Sequence, residues 1–159
     1  MFSNPKMPAN ALSQADSKLK IADHLLSTTY PFVKDPKLLV SVIDALFQAM
    51  ELAIETAIEY EKNFKTLQYT DFESKIEIFR RKVIPKYALD PKIIDFLLEL
   101  KAILESHRKS GVEFTKKEKF VISDNDYNLK TLDFEDARKK YHAAKEYIGE
   151  ISKIVSKYE

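Results

Sequence analysis

The sequence predicts an all-α fold: an antiparallel up-down bundle of about five helices, with a long irregular loop before the last helix. Three observations predict it. Apolar residues recur three and four apart through most of the 159 residues. Residues that cap helices stand at the head of these periodic stretches. No strand pattern of any length competes with them. Residues 1–12, with Pro5 and Pro8, read as a loose N-terminal segment, and residues 13–159 as one helical domain.

The first helix is expected from Ser13, with Asp16 three residues on as a modest capping box. Leu12, Ala15, Leu19, Ala22, Leu26 and Thr29 form its apolar face, and Pro31 ends or bends it. Asp35-Pro36 opens the second and longest helix, with aspartate as cap and proline in the first turn. This helix is expected to run to about Phe64. Leu39, Val42, Ile43, Leu46, Phe47, Met50, Ile54 and Ile58 give it a broad apolar face, and Ala45, Ala49, Ala53 and Ala57 form a small-residue row that admits a close neighbour. Its other face carries Asp44, Gln48, Glu51, Glu55 and Glu59, a solvated acidic face. A carboxylate-bridged metal pair would need Glu-x-x-His motifs turned into the core, and the sequence has none.

The third helix is expected from Thr70-Asp71-Phe72-Glu73, another capping box, to near Pro85. The fourth repeats the Asp-Pro-Lys start at Asp90-Pro91-Lys92. Its Ile93, Ile94, Phe96, Leu97, Leu98, Leu100, Ile103 and Leu104 cover most of the circumference, as in a central helix. Residues 110–131 are long for a connection between helices, and Phe120-Val121-Ile122 reads as a short strand or a clip on the bundle. The last helix runs from about Asp133 to Lys157 along a seam of Phe134, Ala137, Tyr141, Ala144, Ile148, Ile151 and Val155.

Composition excludes several kinds of chemistry. With two glycines, Gly111 and Gly149, there is no glycine-rich phosphate loop. With no cysteine there is no disulfide, zinc-thiolate site or thiol nucleophile, and a cytoplasmic location is expected. No apolar run is long enough to span a membrane. The net charge of +1 leaves nucleic-acid binding to a local patch. No metal site and no cofactor is expected: His24, His107 and His142 do not pair at metal-ligand spacing.

The chemistry-bearing stretch is Lys101–Tyr127. His107, Arg108 and Lys109 sit at a helix C-terminus, where the macrodipole favours cations. From His107 to Lys119, Arg108, Lys109, Lys116, Lys117 and Lys119 stand against Glu113 and Glu118, a local balance of +3. Phe114, Phe120 and Tyr127 interleave. Basic loops with aromatic residues hold phosphates and stack bases, so Lys109, Lys116, Lys117, Lys119 and Tyr127 are the candidate RNA contacts. Arg138 and His142, four apart on one helical face, form a second candidate pair.

Three segments together, KLKIADHLLSTTYPFV, LLVSVIDALFQAMELAIETAI and YNLKTLDFEDARKKYHAAKEYIGEI, resemble the opening, long alanine-rich and closing helices of the HEPN superfamily. That resemblance implies a small helical bundle found in toxin–antitoxin or defence modules. In some pairs its partner is a nucleotidyltransferase. In active members it implies a metal-independent endoribonuclease with an Arg, four to six residues, then a His. Here the nearest match is Lys101, five residues, then His107, with Arg108 beside it. Lysine lacks arginine's two-pronged fork, and six positions on an ideal helix leave the pair about 120° apart. A non-enzymatic interaction module is therefore the first expectation, with a protein partner or RNA as ligand. The alternative is a ribonuclease using His107 as acid/base and Lys101 and Arg108 as phosphate cations. A homodimer is expected from the apolar surplus on the second and fourth helices.

Overall fold

The computed structural model describes residues 6–61, 71–124 and 126–158. The chain is mostly helical, in the order α1 (Lys6–His24), α2 (Tyr30–Val33), α3 (Leu38–Tyr60), α4 (Phe72–Ile78), α5 (Ile84–Tyr87), α6 (Lys92–Lys109), β1 (Val112–Lys116), β2 (Lys119–Ser123), β3 (Leu129–Leu132) and α7 (Phe134–Tyr158). Helix α1 begins seven residues before Ser13, so residues 6–12 continue the helix rather than leading into it. The expected end of the second helix at Phe64 and the expected cap at Thr70 lie outside the described residues.

Two junctions share one construction. Residues Leu25–Thr29, between α1 and α2, and Phe79–Val83, between α4 and α5, form π-turns. The amide of Tyr30 reaches back five residues to Leu25, and that of Ile84 to Phe79. A proline follows each turn, Pro31 and Pro85. Its ring has no N–H to give and would press on the carbonyl four residues back, and the wider turn accommodates both. The short helices then stop at residues with left-handed backbone, Lys34 (φ 54°) and Ala88 (φ 53°). One residue after Lys34 and two after Ala88, Asp35 and Asp90 take the amides of Lys37 and Lys92 at 3.0 and 2.9 Å and start the next long helix. At the head of α4 the cap is Asp71, whose carboxylate accepts from the Ser74 amide at 2.8 Å.

Helix α3 is the centre of the molecule. The residues Leu39, Leu46, Ala49, Met50, Ala53 and Ala57 are fully buried. Helices α1, α6 and α7 all pack along α3. The apolar surplus behind the dimer expectation is largely consumed within one chain. Helix α4 is tied to α3 by Lys75, 2.6 Å from Glu55 and 3.7 Å from Glu51, so part of the expected acidic face holds a neighbouring helix. Phe47 and Phe72 meet across the same contact. Helix α6 meets α7 through Phe96 and Tyr147 and through the Lys140–Glu99 ion pair.

The expected irregular loop is a three-stranded antiparallel sheet in the order β1-β2-β3. Phe120-Val121-Ile122 forms its central strand. Thr115 faces Phe120 on β1, and Leu132 faces Phe120 on β3. Side chains alternate between faces along a strand, so Phe120, Ile122 and Leu132 point inward. Phe120 and Ile122 make a small apolar cluster with Val40 of α3, against which Leu104 of α6 packs. The connection is ordered because its apolar residues alternate and have a helical surface to bury against.

Asp133 starts α7 with a reciprocal cap. It takes the Asp136 amide at 2.8 Å, and Asp136 takes the Asp133 amide at 3.2 Å. The bond from the Asp136 amide, first among the causes, holds the Asp133 carboxyl below the usual aspartate range. A depressed carboxylate stabilises the fold above its unfolded pKa, and that stability is lost as pH falls through the folded pKa. Asp133→Ala is expected to cost about 1 kcal/mol at neutral pH. In denaturant titrations the cost should shrink toward zero as pH falls below the ordinary aspartate range.

Candidate functional site

The end of α6 and the sheet bring the candidate residues into view. His107, in the last turn of α6, lies 2.6 Å through Nδ1 from Glu113 Oε2 on β1. Its ring stands beside Phe120, with centroids 6.4 Å apart. It borders a shallow groove of about 350 Å³ shared with Val40, Ser41, Asp44 and Leu104. The imidazole is 43% exposed. A carboxylate-held imidazole with an accessible ring is suited to proton transfer.

The expected phosphate cations do not gather around it. Lys101 reaches Glu105 at 2.9 Å and lies over the Phe72 ring, 5.0 Å from its centroid. Arg108 and Lys109 also turn toward Glu105, at 3.7 and 4.0 Å. The hydrogen bond from Lys101, ahead of the neighbouring charges, holds the Glu105 carboxyl below the usual glutamate range. Lys101 thus engages α4 and Glu105, while His107 engages β1 and β2.

On the sheet, Lys116 and Lys119 are direct partners across the β1–β2 hairpin. The two turn residues between them, Lys117 (φ 49°) and Glu118 (φ 65°), both have left-handed backbone. That is the backbone of a tight hairpin turn, filled here without the usual asparagine or glycine. Tyr127 (φ 63°) stands in the β2–β3 turn, at the opposite end of the sheet. A β2-length strand of about 16 Å separates the two ends, so Tyr127 and the hairpin lysines do not form one pocket. Asp124 organises the Tyr127 turn, its Oδ1 accepting from the amides of Asp126 and Asn128 at 2.9 Å each.

Arg138 forks onto Glu135, with Nε 3.1 Å and Nη2 3.0 Å from its oxygens. This charge-assisted pair raises the Arg138 pKa, the bond to Glu135 being the largest cause. His142 meets the ring of Tyr141 edge-on. The guanidinium is committed to Glu135, and the imidazole meets a different partner. His24 is exposed on α1. Among the described residues no cluster of three or more metal-ligating side chains occurs, and no helix is long and apolar enough to cross a membrane.

Sequence reasoning missed the outer face of the sheet. Val112, Phe114 and Lys116 on β1 share it with Lys119, Val121 and Ser123 on β2 and Leu129 and Thr131 on β3, by the strand register, with the buried Ser123 between Val112 and Leu129. Val112, Phe114 and Leu129 are 58, 42 and 60% exposed, and Val121 is buried between the outer strands. An apolar strip therefore runs along the solvent side of the sheet. The alternation Val-Glu-Phe-Thr-Lys carried its signal. Compared with family models, with curated proteins and with solved structures, the chain finds no match.

Proposed function

We propose that this chain is a non-enzymatic interaction module whose docking surface is the outer face of the sheet, with another protein as its ligand. The observation that carries the reading is the exposed apolar strip of Val112, Phe114 and Leu129 over Val121. Contiguous exposed apolar surface marks sites of association. The sheet is seated on the helices through Phe120 and Ile122, so the strip is presented on a fixed platform. HEPN-like identity and an up-down arrangement of the helices belong to the same proposal, and they suit a scaffold of this size and helical content.

The test is affinity capture with the full chain beside a Phe114→Glu/Leu129→Glu variant and a Phe32→Glu control. Phe32 is also exposed but belongs to α2, outside the three strands. The expected result is a stoichiometric protein partner held by wild type and by the control, and lost from the sheet variant. Capture indifferent to the sheet substitutions would overturn the reading.

One observation favours a second reading, a metal-independent ribonuclease. The Glu113 carboxylate at 2.6 Å orients His107, whose other ring nitrogen would take the proton of a 2′-hydroxyl as its oxygen attacks phosphorus, while the bond from phosphorus to the 5′ oxygen breaks and that oxygen takes a proton from water, leaving a 2′,3′-cyclic phosphate. Cleavage of RNA in EDTA that disappears in His107→Ala would select this reading over the first.

A further inference from the structure

Strand β1 ends the sheet. Among the described residues it has a strand neighbour on one side only, and all five of its residues are exposed. It contains no proline and no bulge, its charges being Glu113, which is turned to His107, and Lys116 at its end, and an open edge is a template for another strand. A strand laid beside it would place alternate side chains next to Val112, Phe114 and Lys116 on the outer face.

Charge along that edge selects the occupant. Arg108 and Lys109 stand just before β1, and Lys116 and Lys117 close it, all exposed. Glu113, at the middle of the strand, already meets His107. Arg108 and Lys109 make only long contacts to the single carboxylate of Glu105. At the hairpin, Lys116 faces Lys119 directly, an arrangement that costs stability unless an anion joins it. Asp133 sits close enough to Lys119 to feel its charge, which leaves Lys116, on the outer strand, as the open cation of the row.

A second copy of the chain fits this edge poorly. Pairing two β1 strands antiparallel about Phe114 would set Val112 of each chain beside Lys116 of the other, so the basic Lys116-Lys117 end of each would meet the end of the other that follows Arg108 and Lys109. RNA fits poorly too. The outer face is lined by aliphatic Val112, Val121 and Leu129, and phenylalanine supplies its one ring, whereas single-stranded RNA is held by stacking on aromatic residues.

Resting on the interaction reading above, we infer that β1 accepts an extended segment of a protein partner that is acidic at both ends and apolar at alternate positions between. Main-chain hydrogen bonds to the open edge supply affinity, Val112 and Phe114 meet the apolar side chains, and the cations flanking the strand set the pattern.

The probe is a fluorescein-labelled seven-residue peptide with aspartates at both ends, valines at the third and fifth positions and threonines between. Its pattern is palindromic, so it serves either strand direction. By fluorescence anisotropy with the full chain at low salt, this peptide is expected to bind at least tenfold more tightly than one with lysines at both ends. Arg108→Glu/Lys116→Glu should invert that preference, with far-UV circular dichroism confirming the fold. N-methylation of the peptide amides that face β1 should abolish binding. Equal binding of the two peptides, no binding of either, indifference to N-methylation, displacement by a ten-nucleotide oligouridine, or self-association through β1 would each overturn the inference. If such a result came with partner capture that still needs Phe114, the acidic pattern alone would fall. Capture indifferent to Phe114 would remove both.

Discussion

Phe79→Ala is expected to remove about 3–5 kcal/mol of stability. Phe79 is the first residue of the second π-turn, has no solvent exposure and belongs to the main core. Its segment packs on α3, the helix against which α1, α6 and α7 also rest. The cost has two parts: the lost transfer free energy of the ring, and a cavity that the stiff helices around it cannot close. For a domain of this length each kcal/mol corresponds to roughly 2–4 °C of melting temperature. Calorimetry should therefore show a single transition displaced downward by about 6–20 °C. A displacement under about 3 °C would mean that the site collapses around the deletion and that the core is softer than its burial indicates.

Phe120→Ala deletes the same side chain at similar burial and is expected to act differently. Phe120 lies in the small cluster with Val40 and Ile122, with Leu104 alongside. These contacts fasten the sheet to α3 and α6. Losing about 3 kcal/mol or more at this point acts on the sheet's attachment more than on the helical core. Hydrogen exchange should detect it as local opening. The amides of β2 and β3 should exchange on the order of 100-fold faster, at about 1.4 kcal/mol per factor of ten, while the middle of α3 keeps its protection. Equal loss of protection in the sheet and in α3 would show that the two unfold as one unit. The variant also bears on function, because a loosened sheet no longer presents Val112, Phe114 and Leu129 on a fixed platform.

The helices were legible because their signals are local. Asp35-Pro36 and Asp90-Pro91 announce starts, and the apolar positions of α3 and α6 predicted to be internal are for the most part buried. Leu98 is the large exception, left partly exposed on α6. The sheet was hidden by the chemistry of its turn. Lys117-Glu118 adopts a hairpin geometry that asparagine and glycine normally announce. Without them Val112–Lys116 reads as part of a basic loop although it alternates, and Phe120-Val121-Ile122 alone stands out as a short strand or clip. Leu129–Leu132 is four residues long, too short to stand out. The π-turns were half legible: Pro31 and Pro85 marked disturbances, but a widened turn that lets the helix continue has no sequence signature of its own.

At the candidate site, the cations were visible in the sequence and their partners were not. Glu105 draws Lys101, Arg108 and Lys109 through ordinary helical spacing, a competition that a search for phosphate ligands overlooks. Glu113 meets His107 because the chain reverses between α6 and β1, and six residues of sequence do not reveal that reversal. The apolar face of the sheet was invisible for the same reason, since which residues share a face depends on strand register.

Helix α3 is covered by α1, which precedes it, and by α7, which is synthesised after the sheet. Until α7 docks, part of the most apolar helix in the molecule faces solvent or whatever shields nascent chains. The small sheet is complete before that moment, because its three strands are contiguous and its contacts short-range. The chain therefore completes the sheet before it closes its core. Substitutions that weaken α7 are expected to reveal themselves first as aggregation during synthesis, ahead of any defect in the finished surface.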